Sequence, residues 1–148
     1  MAVNYKNIIL DLQGLLYENI GSIISGADAS YIDWNDGIDF NYSAKDQFLS
    51  MRTTFGDASQ AYLTGNDAGV EINGFVDVNI FNQISAGGNN VKGLETAKNI
   101  NEVFGKYSAT DKATLTLNVG DIILNDKDEI NDNLWVTVIR FDFIAIAD

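Results

Sequence analysis

The longest regular pattern of apolar and polar residues lies in the middle of the chain, from Val70 to Phe81. Every second residue there is mostly aliphatic and the alternate positions are mostly polar, which is the two-residue period of a half-buried β-strand. Two aromatic residues, Phe75 and Phe81, fall on the polar side together with Asp77. The pattern therefore predicts a long strand with one face in the core and these three residues on the outward face.

Two helices are predicted from apolar residues that recur every three or four positions. The first follows Asn4, the expected N-cap, and Gly21 is expected to end it. The second begins after a glycine-rich turn, with Asn89 or Asn90 as its N-cap, and ends at Gly105. Its predicted apolar stripe consists of Val91, Leu94, Ala97, Ile100 and Phe104. Both helices are expected to pack on a sheet, and a partner-binding role is the alternative for the first.

Further strands are predicted on both sides of the central one. Residues 48–55 are rich in β-branched and aromatic side chains, and 56–69 are expected to form an exposed arm or an extended hairpin. A fourth strand is predicted over 115–123, and an acidic turn over 125–133 leads into a last strand over 135–146. The last strand has apolar residues on both faces, which favours a strand that is covered on both sides or joined to another subunit.

These elements predict one α+β domain over residues 1–148. Its sheet is expected to be mostly antiparallel, with four to five strands and two helices packed on one face. A chain of 148 residues with 46% apolar residues is long enough to build one core of its own. The N-terminus lacks the features of a signal peptide, and no apolar run is long enough to cross a membrane, so a cytoplasmic location is expected.

The charge balance narrows the possible functions. The chain has 21 acidic and 9 basic residues and a net charge of −12, which disfavours sequence-independent binding to nucleic acid. It contains no cysteine and no histidine, which excludes disulfides, zinc–thiolate sites and nucleophiles activated by histidine. A pair of carboxylates remains as a catalytic possibility, but so many acidic residues produce such pairs by chance.

Three segments resemble parts of ligand sites. Residues 88–93 have the glycine spacing of a phosphate-binding loop, but Leu94 and Glu95 stand where a lysine and a hydroxyl are required, so a strand-to-helix turn is favoured. Residues 33–37 resemble the start of a calcium loop with the glycine one position early. In the loop over 26–47, aromatic residues such as Tyr31 and Trp34 favour packing at the domain edge, with carbohydrate or ligand binding as the alternative.

The order of the elements resembles the small tail terminator proteins of long-tailed bacteriophages. The resemblance covers most of the chain, and its similar parts are residues 73–78, Gly87-Gly88, residues 97–104 and residues 135–138. It implies a hexameric ring in the virion, at the head-proximal end of the tail tube, assembled in the host cytoplasm. The implied partners are further copies of the chain, the tail tube protein and head–tail connector proteins. It implies no catalysis, no cofactor and no membrane, and DNA that passes through without specific binding.

Two sets of residues are candidates for this assembly role. Phe75, Asp77 and Phe81 are expected to meet a neighbouring subunit or the tube, unless the aromatic rings lie under the loop over 26–47. The acidic segments over 33–39 and 125–133 are expected to supply a negatively charged lumen that does not bind DNA. The lumen candidates in the second segment are Asp126, Asp128 and Asp132. The alternatives are another phage neck, head-completion or tube-like protein, and a monomeric ligand-binding module.

Overall fold

The computed structural model describes residues 5–34, 40–60, 70–105, 107–109 and 114–147. Within these residues the chain forms two α-helices and one seven-stranded sheet. The helices are α1 (Tyr5–Ile23) and α2 (Asn90–Phe104). The strands are β1 (Ile32–Asp33), β2 (Gln47–Gln60), β3 (Val70–Gln83), β4 (Ser108–Ala109), β5 (Thr114–Leu117), β6 (Asp121–Lys127) and β7 (Leu134–Ala147).

The sheet has the strand order β1-β2-β3-β7-β5-β4, and β6 also pairs with β7. Strand β1 pairs with β2 in parallel, and every other strand pair in this part of the chain is antiparallel. Strand β3 is paired over its whole length with β7, from Val70 opposite Ala147 to Gln83 opposite Leu134. The predicted α+β class with a mostly antiparallel sheet is confirmed.

One face of the sheet packs against both helices and forms the core. The alternation along β2, β3 and β7 turns the same set of apolar residues toward α1 and α2, as expected for two layers that bury their apolar sides against each other. The main buried residues of this helix face are Ile8, Leu12, Leu16, Ile20 and Ile23 of α1, Ala97, Ile100 and Phe104 of α2, and Leu49, Ile72, Val76, Val78, Ile80, Ile139, Phe141 and Phe143 of the strands.

The sheet has more strands than the four to five predicted. Strands β1 and β4 have two residues each, which is too short for any periodicity to be read. The predicted strand over 115–123 is divided between β5 and β6, although both parts pair with β7. Of the two alternatives for 56–69, the described residues support the extended hairpin, because β2 continues to Gln60, which pairs with Val70. Residues 61–69 lie outside the described residues.

The helix boundaries were predicted better at α2 than at α1. The Asn89 side chain accepts a hydrogen bond of 3.0 Å from the Lys92 N–H and caps α2, as predicted. Helix α1 does not end at Gly21 but continues to Ile23, because Ile23 is buried in the core, and Gly26 then turns the chain with a φ of +77°. The predicted cap Asn4 lies outside the described residues. No helix in the described part of the chain is long and apolar enough to cross a membrane.

The predicted apolar stripe of α2 is wrong in its first turn. Val91 and Leu94 are 57% and 42% exposed, whereas Gly93 and Thr96 are buried. A Cβ atom on Gly93 would overlap the Thr137 side chain, so α2 approaches β7 through a residue without a side chain. Because this contact turns Gly93 toward the sheet, the larger residues on either side of it point away.

Candidate assembly interface on the open face of the sheet

The face of the sheet opposite the helices, here called the open face, carries the alternate residues of β2, β3 and β7. Both helices pack on the other side, so these side chains are not covered by α1 or α2. Four residues at one end of this face are nevertheless buried, so β7 is covered on both sides there and the face is exposed mainly at its other end; the four are Phe48, Ser50, Val136 and Val138. The register places them in rows across the three strands. The residues of the open face are Phe48, Ser50, Arg52 and Thr54 of β2, Asn73, Phe75, Asp77, Asn79 and Phe81 of β3, and Val136, Val138, Arg140, Asp142 and Ile144 of β7.

Arg140 lies at the centre of the open face between a carboxylate and an aromatic ring. It stands directly opposite Asp77, and its Nε and Nη2 donate hydrogen bonds of 2.8 and 3.0 Å to the two carboxylate oxygens. Its guanidinium carbon lies 3.8 Å from the centre of the Phe75 ring. This arrangement combines a bidentate ion pair with a cation–π contact. We call Phe75, Asp77 and Arg140 the arginine platform.

The arginine platform is held together by side-chain contacts and is only partly exposed. The hydrogen bonds that Arg140 donates to Asp77 raise the pKa of the guanidinium. The Arg140 and Asp77 side chains are 35% and 15% exposed, and the Phe75 ring is half-buried beneath the guanidinium. The opposite charges cancel locally, so the platform presents a flat, amphipathic surface without a net charge of its own.

A shallow depression of about 400 Å³ adjoins the platform. It is lined by Phe75, Asn73, Asp142 and Ile144 among other residues, and Ile144 is 43% exposed. Gly74 forms part of its floor, where a Cβ atom would overlap the Phe143 ring and the Thr54 carbonyl. The depression extends the platform toward the end of β7 with both apolar and polar groups.

The predicted interface residues occupy two separate regions of this face. Phe75 and Asp77 belong to the platform, and their outward orientation is as predicted. Phe81 lies about 13 Å from Asp77 and about 20 Å from Phe75 along β3, at 3.3 to 3.4 Å per residue. Its ring stacks on Phe48 with the centres 4.8 Å apart. Arg140 was not singled out from the sequence, because only the register between β3 and β7 brings it to Asp77.

Phe81 belongs to an aromatic cluster that includes the loop before β2. The Phe48 ring is 5.1 Å from that of Phe40 and 5.3 Å from that of Tyr42. The alternative that the loop over 26–47 covers the outward aromatic rings therefore applies at this end of the sheet and not at Phe75. Trp34 also packs against the core, which agrees with the predicted structural use of the aromatic residues of this loop.

A groove of about 350 Å³ lies beside this cluster. Its apolar lining includes Phe48, Phe81 and Leu134, and Asp33 and Asp128 contribute carboxylates. Asp33 lies in β1, is only 8% exposed and accepts a hydrogen bond of 3.2 Å from the Tyr42 hydroxyl. Asp33 is thus buried in a short strand and is not an exposed carboxylate of the acidic segment over 33–39, and residues 35–39 lie outside the described residues.

The lumen candidates lie at the end of β6 and in the turn that follows it. The predicted turn over 125–133 begins too early, because Asp126 is still in β6 and pairs with Val136. Asp126 and Asp132 are exposed, and Asp128 is half-buried at the edge of the groove. The Asp128 carboxylate accepts a hydrogen bond of 3.2 Å from the Asn131 N–H, which supports the turn. Ile130 at the tip is 96% exposed. Which side of an assembly this turn faces stays a prediction.

The apparent phosphate-binding spacing has a structural explanation. A Cβ atom on Gly88 would lie 2.7 Å from the Asn82 Cβ, and Gly93 packs against Thr137. Both glycines therefore allow close packing between the start of α2 and the sheet, as the strand-to-helix interpretation predicted. Within the described residues, no group of three acidic side chains is close enough to hold a metal ion. Comparison of the chain with protein-family models gives no match, and a search of curated proteins finds no significant relative.

Proposed function

We propose that this chain is the subunit of a ring, with sixfold symmetry, that caps the head-proximal end of a phage tail tube. In this role the ring stops tube polymerisation and joins the tail to the head. Its partners are neighbouring copies, the tube protein and head–tail connector proteins, and DNA passes through it without specific binding. The role requires no catalysis, cofactor or metal ion.

The observation that carries the proposal is the arginine platform on a sheet face that the helices leave uncovered. A sheet face exposed only to water is expected to be uniformly polar. Here Phe75 and the exposed Ile144 lie next to paired charges, a mixture typical of the aromatic and arginine contacts at protein interfaces. The resemblance in element order to tail terminators supplies the kind of assembly.

The oligomeric state is the first test. The purified chain is expected to form closed rings, either alone or on isolated tail tubes, measured by light scattering and negative-stain imaging. A chain that stays monomeric at high concentration and also fails to bind tube ends would make the terminator proposal wrong. Binding to another part of the neck would favour the related alternative of a different neck or head-completion protein.

Phe75→Asp is the second test, with Tyr17→Asp as the matched control. Tyr17 is an aromatic residue that is 56% exposed on α1, away from the open face. Neither change should alter the melting temperature much, because neither ring lies in the core. Phe75→Asp should strongly reduce ring formation or tube capping, whereas Tyr17→Asp should not. Equal effects of the two variants on assembly would argue against the open face as the interface.

One observation favours the alternative of a monomeric ligand-binding module, namely the groove between Phe81 and Asp128. A ligand-binding module would keep its function as a monomer and would not respond to Phe75→Asp. The two functions are therefore separated by the same variant.

A further inference from the structure

The groove beside Phe81 combines aromatic rings with carboxylates. Phe48 and Phe81 lie almost parallel, with 14° between their planes, and Tyr42 packs 5.3 Å from Phe48. Asp33 and Asp128 line the same groove. Aromatic faces attract cations, and the attraction increases where water is partly excluded. The groove therefore favours a ligand that is both cationic and flat or apolar.

No lysine or arginine is found among the described residues that line this groove. Lys45, in the loop before β2, places its Nζ 4.2 Å from the Tyr31 ring centre, and neither residue belongs to the lining of the groove. With a net charge of −12 on the chain, the groove lies in a negative field that attracts a cation from another molecule.

The arginine platform, elsewhere on the open face, shows a cation bound by an aromatic ring and a carboxylate of this chain. There, the guanidinium of Arg140 lies over the Phe75 ring and binds both oxygens of Asp77. The groove offers the same two elements, an aromatic face and a carboxylate, while its described lining contains no guanidinium of this chain.

We infer that the groove is a receptor for an arginine side chain presented by another protein. The guanidinium lies against the half-buried Phe81 ring, since Phe48 behind it is fully buried, and its N–H groups donate to the Asp128 carboxylate. Arginine is favoured over lysine because its planar group stacks on aromatic rings and binds a carboxylate through two parallel hydrogen bonds. The inference goes beyond the proposed function, since it concerns a contact of the single subunit.

The full chain is titrated with three small probes at about 0.1 M salt, where the screening length is about 10 Å, and binding is followed by amide chemical shifts in NMR. The probes are N-acetyl-arginine methylamide, the lysine equivalent, and the citrulline equivalent, which has nearly the same shape as arginine without the charge. Arginine should shift resonances around Phe48, Phe81 and Asp128. Citrulline should bind about tenfold more weakly, since hydrogen bonds to charged groups are the stronger ones, and lysine should fall between them.

Asp128→Asn and Asp132→Asn form the matched pair of variants. Both remove one charge from the same turn, but only Asp128 lines the groove. Asp128→Asn should weaken arginine binding about tenfold, and Asp132→Asn should leave it within about twofold, the screened effect of a distant surface charge. Equal binding of arginine and citrulline by the native chain, or equal loss in the two variants, would overturn the inference. Because these titrations need no ring, their failure leaves the proposed assembly role untouched. Failure of the assembly tests likewise leaves the proposed arginine contact untouched.

Discussion

The two faces of the sheet are built from the same three strands and differ in what covers them. On the helix face, Phe141 and Phe143 are 0% and 1% exposed because the helices cover that side. Their neighbours in sequence, Asp142 and Ile144, point to the open face and are exposed. At this end the chain thus buries one face of the sheet and leaves the other for water or for a partner, whereas Phe48, Val136 and Val138 at the other end of the open face are buried.

The open face is not uniform. Its two ends differ in whether a cation of the chain itself lies beside the aromatic rings and carboxylates. At one end Arg140 of the chain itself fills the space between Phe75 and Asp77. At the other end, the stacked rings of Phe48 and Phe81 border a groove with carboxylates. One end therefore has a cation of the chain itself on its aromatic ring, whereas the described lining of the groove at the other end contains none, and an arginine of another protein is proposed to bind there.

The largest expected effect on stability comes from a replacement on the helix face of β7, and a replacement on the open face of the same strand is its control. Phe141→Ala should lower the free energy of unfolding by about 3–5 kcal/mol, because it removes a fully buried ring and leaves a cavity. Ile144→Ala, on the opposite face of the same strand, should cost less than about 1 kcal/mol. Urea denaturation measures both. A similar loss for the two variants would mean that the open face is as closed as the helix face.

Two glycines in the helices test the same difference, since one lies against the sheet and the other has open space beside it. Gly93→Ala should lower the free energy of unfolding by about 1–3 kcal/mol, because the added methyl group overlaps Thr137 of the sheet. Gly14→Ala in α1 meets no atom within 4 Å and should raise it by about 0.5–1 kcal/mol through better helix propensity. Thermal unfolding of both variants provides the check. If Gly93→Ala is also stabilising, α2 does not approach β7 as closely as described.

The smallest expected effect on stability comes from the turn between β6 and β7. Changing Asp126, Asp128 and Asp132 together to Asn should leave the melting temperature nearly unchanged. It removes three of the 12 surplus negative charges per subunit, so ring formation should increase at low salt. The screening length falls from about 30 Å at 0.01 M to about 10 Å at 0.1 M, so the gain should disappear at moderate salt.

The same triple variant tests the lumen prediction. If the turn lines the channel, weaker repulsion of phosphates should slow DNA passage or infection. The native ring should itself assemble better at moderate than at low salt, measured by light scattering. Strongest assembly at low salt would indicate complementary charged contacts between subunits. No change in assembly or infection would leave the turn as a solvated connection only.

The sequence by itself determined the elements whose signals are local. The two-residue period of β3 predicted both the strand and the outward position of Phe75, because side chains alternate between the faces of any strand. The cap at Asn89 and the stop after Phe104 were predicted for the same reason, since a helix end is specified by a few adjacent residues. The two-layer α+β arrangement followed from the order of these elements.

Tertiary structure decided whatever depends on residues that are far apart in the chain. The pairing of Asp77 with Arg140 requires one register between β3 and β7, and the sequence pattern of either strand is compatible with several. The contact of Gly93 with Thr137 turned Val91 and Leu94 outward against the apolar pattern of α2. The surroundings of Phe48 and Asp33 depend on the loop before β2, since Phe40 packs on Phe48 and the Tyr42 hydroxyl donates to Asp33. Burial and pairing arise from such distant contacts, so local periodicity predicts the elements but not the surface on which they meet a partner.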